Sequence, residues 1–212
     1  MSISCKGMTD DRQELLAVAG LAQVGLAPVG FALARGECLP VLGPSGAGKT
    51  LLLRALADLD PNQGSVRLAG VPREAVSGPA WRRRVMYLAA EPGWWAERVE
   101  QHFDDWPAAT PLVARLLLPP EIGASPVRLL STGERQRLAL ARVLVRAPMV
   151  LLLDEPTAAL DEAAREAVEG LIGERLSQGI GALWVTHDRN QARRFAGRAL
   201  NLDRGVATEV RL

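Results

Sequence analysis

Along the chain, short apolar runs alternate with helix-forming stretches, and turn-forming residues separate them. Leu15 to Leu21 and Val29 to Leu33 read as short strands, and Arg35-Gly36-Glu37 as a turn leading into apolar Cys38 to Leu42. Leu51 to Ala57 reads as a helix. The turn signal Asp60-Pro61-Asn62-Gln63-Gly64 precedes a short strand, Ser65 to Leu68, and Val85 to Leu88 is a further strand. From Pro92 to Pro126 the composition shifts to Trp, Pro, Ala and Leu with little period-two alternation, which predicts a separate, mostly helical subdomain. A long helix, Arg135 to Val145, follows. Strand character returns at Val150 to Leu153, and helix Glu162 to Leu176, strand Ala182 to Thr186, helix Asp188 to Ala196 and strand Ala199 to Leu202 complete the alternation. This order predicts an α/β fold with a mainly parallel sheet and helices on its faces. The chain shows no internal repeat, which argues against a solenoid.

Composition narrows the class. A chain of 212 residues with 48% hydrophobic content can bury a sizeable core, as one large domain or a core with a subdomain. With 25 basic and 24 acidic residues and no basic run, it lacks the electrostatic footprint of a nucleic-acid binder, so no nucleic acid is expected as partner. Cys5 and Cys38 have no metal or redox spacing, which points to a reducing compartment. Met1 to Glu14 carries one Lys and no apolar core of a secretory signal, and no apolar run reaches the roughly 18 residues of a spanning helix. Any role at a membrane would need another chain to cross it.

The chemistry begins at Gly43-Pro44-Ser45-Gly46-Ala47-Gly48-Lys49-Thr50. This run fits Gly-x-x-x-x-Gly-Lys-[Ser/Thr], and the strand before it and the helix after it supply the setting the motif requires. Gly43, Gly46 and Gly48 lack the β-carbon that would block unusual backbone angles, so successive N–H groups can curl around phosphate oxygens. The helix that starts near Gly48 adds the positive end of its dipole. Lys49 suits the β- and γ-phosphates, and the Thr50 hydroxyl can ligate Mg²⁺. Of the 25 basic residues only Lys6 and Lys49 are lysines. A chain that otherwise uses Arg has kept a compact ammonium where a planar guanidinium would not substitute.

A second constellation lies downstream. Val150 to Leu153 is an apolar strand that ends in Asp154 and Glu155, at the carboxyl end where open α/β sheets hold ligands. Asp154 is positioned to hold Mg²⁺, directly or through water, and Glu155 to orient or deprotonate an attacking water. Upstream, Leu130-Ser131-Thr132-Gly133-Glu134 precedes the Arg135 helix. Ser131 and Glu134 read as a capping box, and a helix start with Gly133 in it can also bind an anion, since both uses draw on the same orphan N–H groups.

These motifs, taken in order, resemble the ATP-binding subunits of ABC transporters, and the resemblance covers about Leu15 to Leu202. Leu130 to Glu134 is similar to the family's signature motif, Val150 to Glu155 to its Walker B strand, Ala159-Leu160-Asp161 to its D-loop, and His187 in Val185-Thr186-His187-Asp188 to its switch histidine. The short chain and Leu183 to Asp188 look most like small two-component exporters, including iron exporters. The resemblance implies a P-loop α/β fold of the ABC ATPase type, with a small antiparallel β part and an inserted helical subdomain. The expected division is a flexible segment 1–12, an ATP-binding core of 13–91 and 147–212, and a helical subdomain of 92–146 that carries the signature. It also implies ATP and Mg²⁺ as ligands and catalytic roles for Glu155 and His187. Two subunits would pack head to tail so that Ser131 and Gly133 of one reach the γ-phosphate held by the other's loop. Asp161 would both cap its helix and touch the second subunit. A separate integral membrane subunit would place the chain at the cytoplasmic face of the cell membrane.

Two residues usual in the family are missing. Gln23-Val24-Gly25-Leu26 offers no ring for adenine, which leaves aliphatic packing on Val24 or Leu26, and Ala90 stands where the family has a glutamine. Trp94 and Trp95 follow in the region that meets the membrane subunit in the family, as interface anchors or as packing inside the subdomain. His102 reads as structural. The alternative reading is a low-turnover nucleotide-dependent switch or a soluble ABC-type ATPase. A nucleotide kinase would explain neither Leu130 to Glu134 nor His187.

Overall fold

The computed structural model describes residues 13–212; the expected flexible segment 1–12, with Cys5 and Lys6, lies outside the described residues. Two sheets face each other across one helix. Strands β1 (Glu14–Gln23), β2 (Leu26–Ala34), β4 (Gln63–Leu68) and β5 (Val71–Pro72) form an antiparallel sheet in the order β2-β1-β4-β5. Strands β3 (Cys38–Leu42), β6 (Val85–Leu88), β7 (Val150–Asp154), β8 (Gly181–Val185), β9 (Arg198–Asp203) and β10 (Val206–Arg211) form a second sheet in the order β10-β9-β3-β8-β7-β6. Every pairing in it is parallel except the hairpin of β9 with β10.

The two faces of the second sheet build two cores. All five residues of β3, β7 and β8 are buried, as expected for strands covered on both sides. Alternate residues then sort by face. Leu39, Val41, Val150 and Leu152 join helix α1 (Lys49–Leu56) and the apolar side of β1 and β2 in one cluster. Leu151, Leu153, Ala182 and Trp184 join helices α3 (Trp106–Arg115), α4 (Thr132–Leu144) and α5 (Glu162–Ser177) in the other. Helix α1 is therefore held between the sheets, and the loop before it is fixed at both ends. Helix α2 (Gly78–Arg84) closes that side through Trp81, whose ring is buried and whose indole N–H donates to the Leu56 carbonyl at 2.8 Å.

Several elements differ from the sequence reading. Strand β1 is longer than Leu15 to Leu21 because it is irregular: its pairings shift register between Val18 and Leu21, where Gly20 takes a positive φ, so strict alternation fails and the strand resumes. Strand β10 carries no sequence pattern of its own, because its residues are mostly exposed and do not alternate. Its signal is the tight turn at Arg204-Gly205, where both residues have positive φ as a two-residue hairpin requires. Between β6 and α4 the chain forms α3 and three short 3-10 turns, Val99–His102, Pro120–Ala124 and Val127–Leu129. Their buried apolar residues belong to the same cluster as α4, α5 and the Leu151 and Leu153 side of β7. No helix among the described residues is long and apolar enough to cross a membrane.

Candidate functional site

The order of strands brings the chemistry-bearing loops into one row, because β3, β8, β7 and β6 are neighbours and each ends at the same edge of the sheet. The loop after β3 is the glycine-rich run. Gly43, Gly46 and Gly48 have φ of 141°, 76° and 101°, a backbone that other residues adopt only with strain. At Gly43 a β-carbon would also collide with the Leu202 carbonyl oxygen of β9. Gly48 precedes α1, which starts at Lys49, at the place expected for a helix that begins near Gly48. Lys49 is buried, and its Nζ donates to the carbonyls of Gly43 and Pro44, both at 2.9 Å. Burial lowers the pKa of this amine, while the nearby Glu155 and Asp154 carboxylates oppose the shift.

Asp154 is the last residue of β7 and is 4% exposed. Thr50 Oγ1 in the first turn of α1 donates to Asp154 Oδ2 at 2.8 Å, and the Tyr87 hydroxyl of β6 donates to the same oxygen at 2.9 Å. Burial and the Asp154 charge push the Tyr87 hydroxyl well above the usual tyrosine range. Thr50 and Asp154 offer hard oxygen donors, the chemistry Mg²⁺ selects. Among the described residues no group of three or more His, Cys, Asp or Glu could cage a metal alone. A hydroxyl and one carboxylate fit an ion that completes its shell with water and substrate phosphates.

Glu155 leaves the strand with φ 49°, a left-handed conformation that costs a non-glycine residue about 1–3 kcal/mol and turns the chain sharply off the end of β7. His187, just past β8, has Nε2 2.8 Å from Glu155 Oε1. His187 lines two clefts. One, of about 180 Å³, is shared with Glu155, Thr157, Arg165 and Gln191. The other, of about 240 Å³, is shared with Gly43, Pro44 and Arg189. The histidine thus stands between the carboxylate and the glycine loop.

The start of α4 forms the capping box read from sequence. Glu134 N donates to Ser131 Oγ at 3.2 Å, and Ser131 N donates to Glu134 Oε2 at 2.7 Å, which holds the Glu134 carboxyl below its ordinary range. Ser131 and Thr132 are exposed, so this helix start faces solvent. A β-carbon on Gly133 would come within 3.2 Å of the Ala159 carbonyl oxygen, so the missing side chain also lets α4 pack closely on the Ala159-Leu160-Asp161 turn. Asp161 accepts from Ala164 N at 2.8 Å and caps α5. Among the described residues, no hydrogen bond links Ser131, Gly133 or Glu134 to Gly43 through Thr50.

The β1–β2 turn lies against the glycine loop: Gln23 Nε2 donates to the Leu51 carbonyl at 3.0 Å, and a β-carbon on Gly48 would stand 3.4 Å from the Gly25 carbonyl oxygen. Val24 is 98% exposed there, but Leu26 is 3% exposed and belongs to the core. The expectation that Leu26 could pack on a base is therefore corrected: its alternation in β2 turns it inward, and Val24 alone is accessible. Ala90 and Glu91 are exposed. The two tryptophans divide between the readings weighed from sequence. Trp94 is half-buried against the helical cluster, whereas Trp95 is 69% exposed and alone has the exposure an interface needs. His102 is structural as expected, buried with Nε2 accepting from the N–H groups of Trp95 and Ala96. Tyr87 is the site residue that sequence reasoning missed. Its position in a strand carried no motif, and only the pairing of β6 with β7 brings it to Asp154.

Comparison with known proteins identifies the family. Residues 26–158 match the ABC transporter family. The chain is 37% identical over 206 residues to the hemin import ATP-binding protein HmuV of Nocardia farcinica, covering 88% of this chain and 70% of that protein. It is 34% identical to the probable iron export ATP-binding protein FetA of Escherichia coli, covering 82% of each. The Fe(3+) ions import ATP-binding protein FbpC 3 of Rhodococcus jostii is longer, and the chain spans 56% of it at 35% identity. Among solved structures, an ATP-binding subunit of an ABC transporter superposes with TM-score 0.82 at 25% identity over 93% of this chain and 90% of that one. A dimeric post-hydrolysis state of an ATP-binding cassette bound to ADP and Pi shares the fold, with TM-score 0.81 at 22% identity over 93% and 99% of the two chains. A family match over more than half of the chain, together with relatives above 30% identity, shows that this chain belongs to the ABC transporter family and is one of its ATP-binding subunits.

Proposed function

We propose that two copies of this chain close around two ATP molecules, each held by the glycine loop of one copy and the Ser131 end of α4 of the other. The observation that carries this reading is the division of the site. Lys49, Thr50, Asp154, Glu155 and His187 converge on one edge of the sheet, while the capped start of α4 faces solvent with no bond to them. The backbone N–H groups of Gly43 to Gly48 and the Lys49 ammonium bind the phosphates. Thr50 and Asp154 would hold Mg²⁺, which would supply positive charge to the phosphate oxygens. Glu155 orients the attacking water and takes its proton; His187, 2.8 Å away, fixes that carboxylate and stands beside the γ-phosphate. Ser131, Gly133 and Glu134 of the second copy complete the phosphate's surroundings, and Asp161 lies at the same interface.

In this reading, loss of the shared γ-phosphate loosens the dimer and moves an integral membrane subunit that carries the solute. The chain then works at the cytoplasmic face of the cell membrane, with 92–146 as the unit that meets the membrane subunit and Trp95 as its exposed ring. Relatives named for hemin import and for iron export support transport as the task, and leave solute and direction to the membrane subunit. Ala90 favours a second reading, a slow nucleotide switch, because a methyl group cannot sense water or metal as an amide does. Phosphate release by the purified chain separates the two. Sustained release that Lys49→Ala abolishes along with ATP binding supports the ATPase; a single burst per chain supports the switch.

The base-binding side makes its own prediction. With Val24 nearly fully exposed beside the loop, Val24→Tyr adds a face for adenine and is expected to tighten ATP binding by about 1–3 kcal/mol. Calorimetry with ATP and with ribose triphosphate lacking a base checks this, since only the former should gain.

A further inference from the structure

The Asp154 carboxylate is held from two sides by elements distant in sequence. β6 pairs with β7 in parallel register, Tyr87 opposite Leu152 and Leu88 opposite Leu153. Tyr87 packs against the cluster that contains Leu152 and α1, whereas Leu88 belongs to the opposite cluster. Asp154, two residues beyond Leu152, lies on Tyr87's face as its diagonal neighbour, within reach of a long aromatic side chain. The phenol extends to that neighbour and donates to Oδ2 at 2.9 Å, while Thr50 from α1 donates to the same oxygen at 2.8 Å. Oδ1 receives no hydrogen bond among the described residues.

We propose that Tyr87 is a positioning residue for the cation: it fixes the Asp154 carboxylate so that one oxygen is occupied by two hydroxyl donors and the other is presented to Mg²⁺ or its water. This inference rests on the proposed role of Thr50 and Asp154 in holding Mg²⁺. The two hydroxyls are not equivalent. Thr50 can donate its proton to Oδ2 and still offer a lone pair to the ion. Tyr87 reaches only the carboxylate, so its effect on the ion passes through Asp154. A phenylalanine at this position would fill the same half-buried space and leave the carboxylate with one anchor in place of two. Hydrogen-bonded partners of metal ligands typically contribute 10- to 100-fold in metal affinity.

The test uses Tyr87→Phe in the full chain, Mn²⁺ as the probe ion and a non-hydrolysable ATP analogue, with free Mn²⁺ read by electron paramagnetic resonance. The expected result is a rise of about tenfold in the Mn²⁺ dissociation constant of the analogue-loaded protein, with affinity for the analogue in the absence of metal unchanged. In turnover, the Mg²⁺ concentration for half-maximal rate rises while the rate at saturating Mg²⁺ is largely regained. In an Asp154→Asn background the same exchange should add no further effect, since the group it positions is altered. Unchanged Mn²⁺ affinity in Tyr87→Phe overturns the proposal, and so does an equal loss of metal-free analogue binding, which would mark a packing role. Failure of the unaltered chain to bind the analogue at all contradicts the functional reading itself and the proposal with it.

Discussion

Exchanging Glu155 for glutamine is expected to lower ATP turnover by about 10²- to 10⁴-fold, the range general bases contribute, and to leave ATP binding intact. The amide keeps the size of the side chain and can still meet His187 Nε2, which lies 2.8 Å from the carboxylate in the native chain. It cannot take a proton from water. Lys49, Thr50 and Asp154, which carry the phosphate and metal contacts, are untouched. Phosphate release measured beside equilibrium ATP binding reads both halves of the expectation. Equal turnover in the two chains would remove Glu155 from the reaction.

The second large effect is expected at the other end of the composite site. Ser131→Arg places a long cation where the capping hydroxyl now accepts from Glu134 N. Loss of an N-cap costs about 0.5–2 kcal/mol of stability. Loss of a preorganised donor to a phosphate oxygen costs about 10² to 10³ in rate. Turnover should therefore fall by at least about 10²-fold while one chain's affinity for ATP changes little, because the glycine loop and Asp154 belong to the same copy. Ser131→Ala removes the cap and the phosphate donor together without adding bulk or charge, so turnover should fall in it too, and thermal melts of both variants read the helix separately. A variant that binds ATP no more than Lys49→Ala does would place Ser131 within its own chain's site.

How much of this was legible in the sequence depends on the kind of signal. The strands that end in chemistry, β3, β7 and β8, were read in nearly correct bounds because burial on both faces leaves uninterrupted apolar runs. The glycine loop, the carboxylate pair and the capping box were legible because each depends on neighbours in sequence. Elements without a local pattern were not. β10 is an edge strand with little burial, and the short α2 is tied down by distant partners, Trp81 to the Leu56 carbonyl and Arg82 to the Asp58 carbonyl. Tyr87 was hidden for the same reason, since its partner lies 67 positions away and the strand order alone makes them neighbours. Leu26 was misjudged because a position beside a binding loop says nothing of the face its side chain takes in the strand.

The most direct test of the shared site is the mass of the Glu155→Gln chain in solution with and without ATP, by light scattering after size exclusion. The expected result is one chain's mass without nucleotide and two with it, carrying two ATP per pair, and a return to single ATP-loaded chains when Ser131→Arg is added. Single chains that hold ATP with Ser131 intact, or a pair that survives Ser131→Arg, would contradict it.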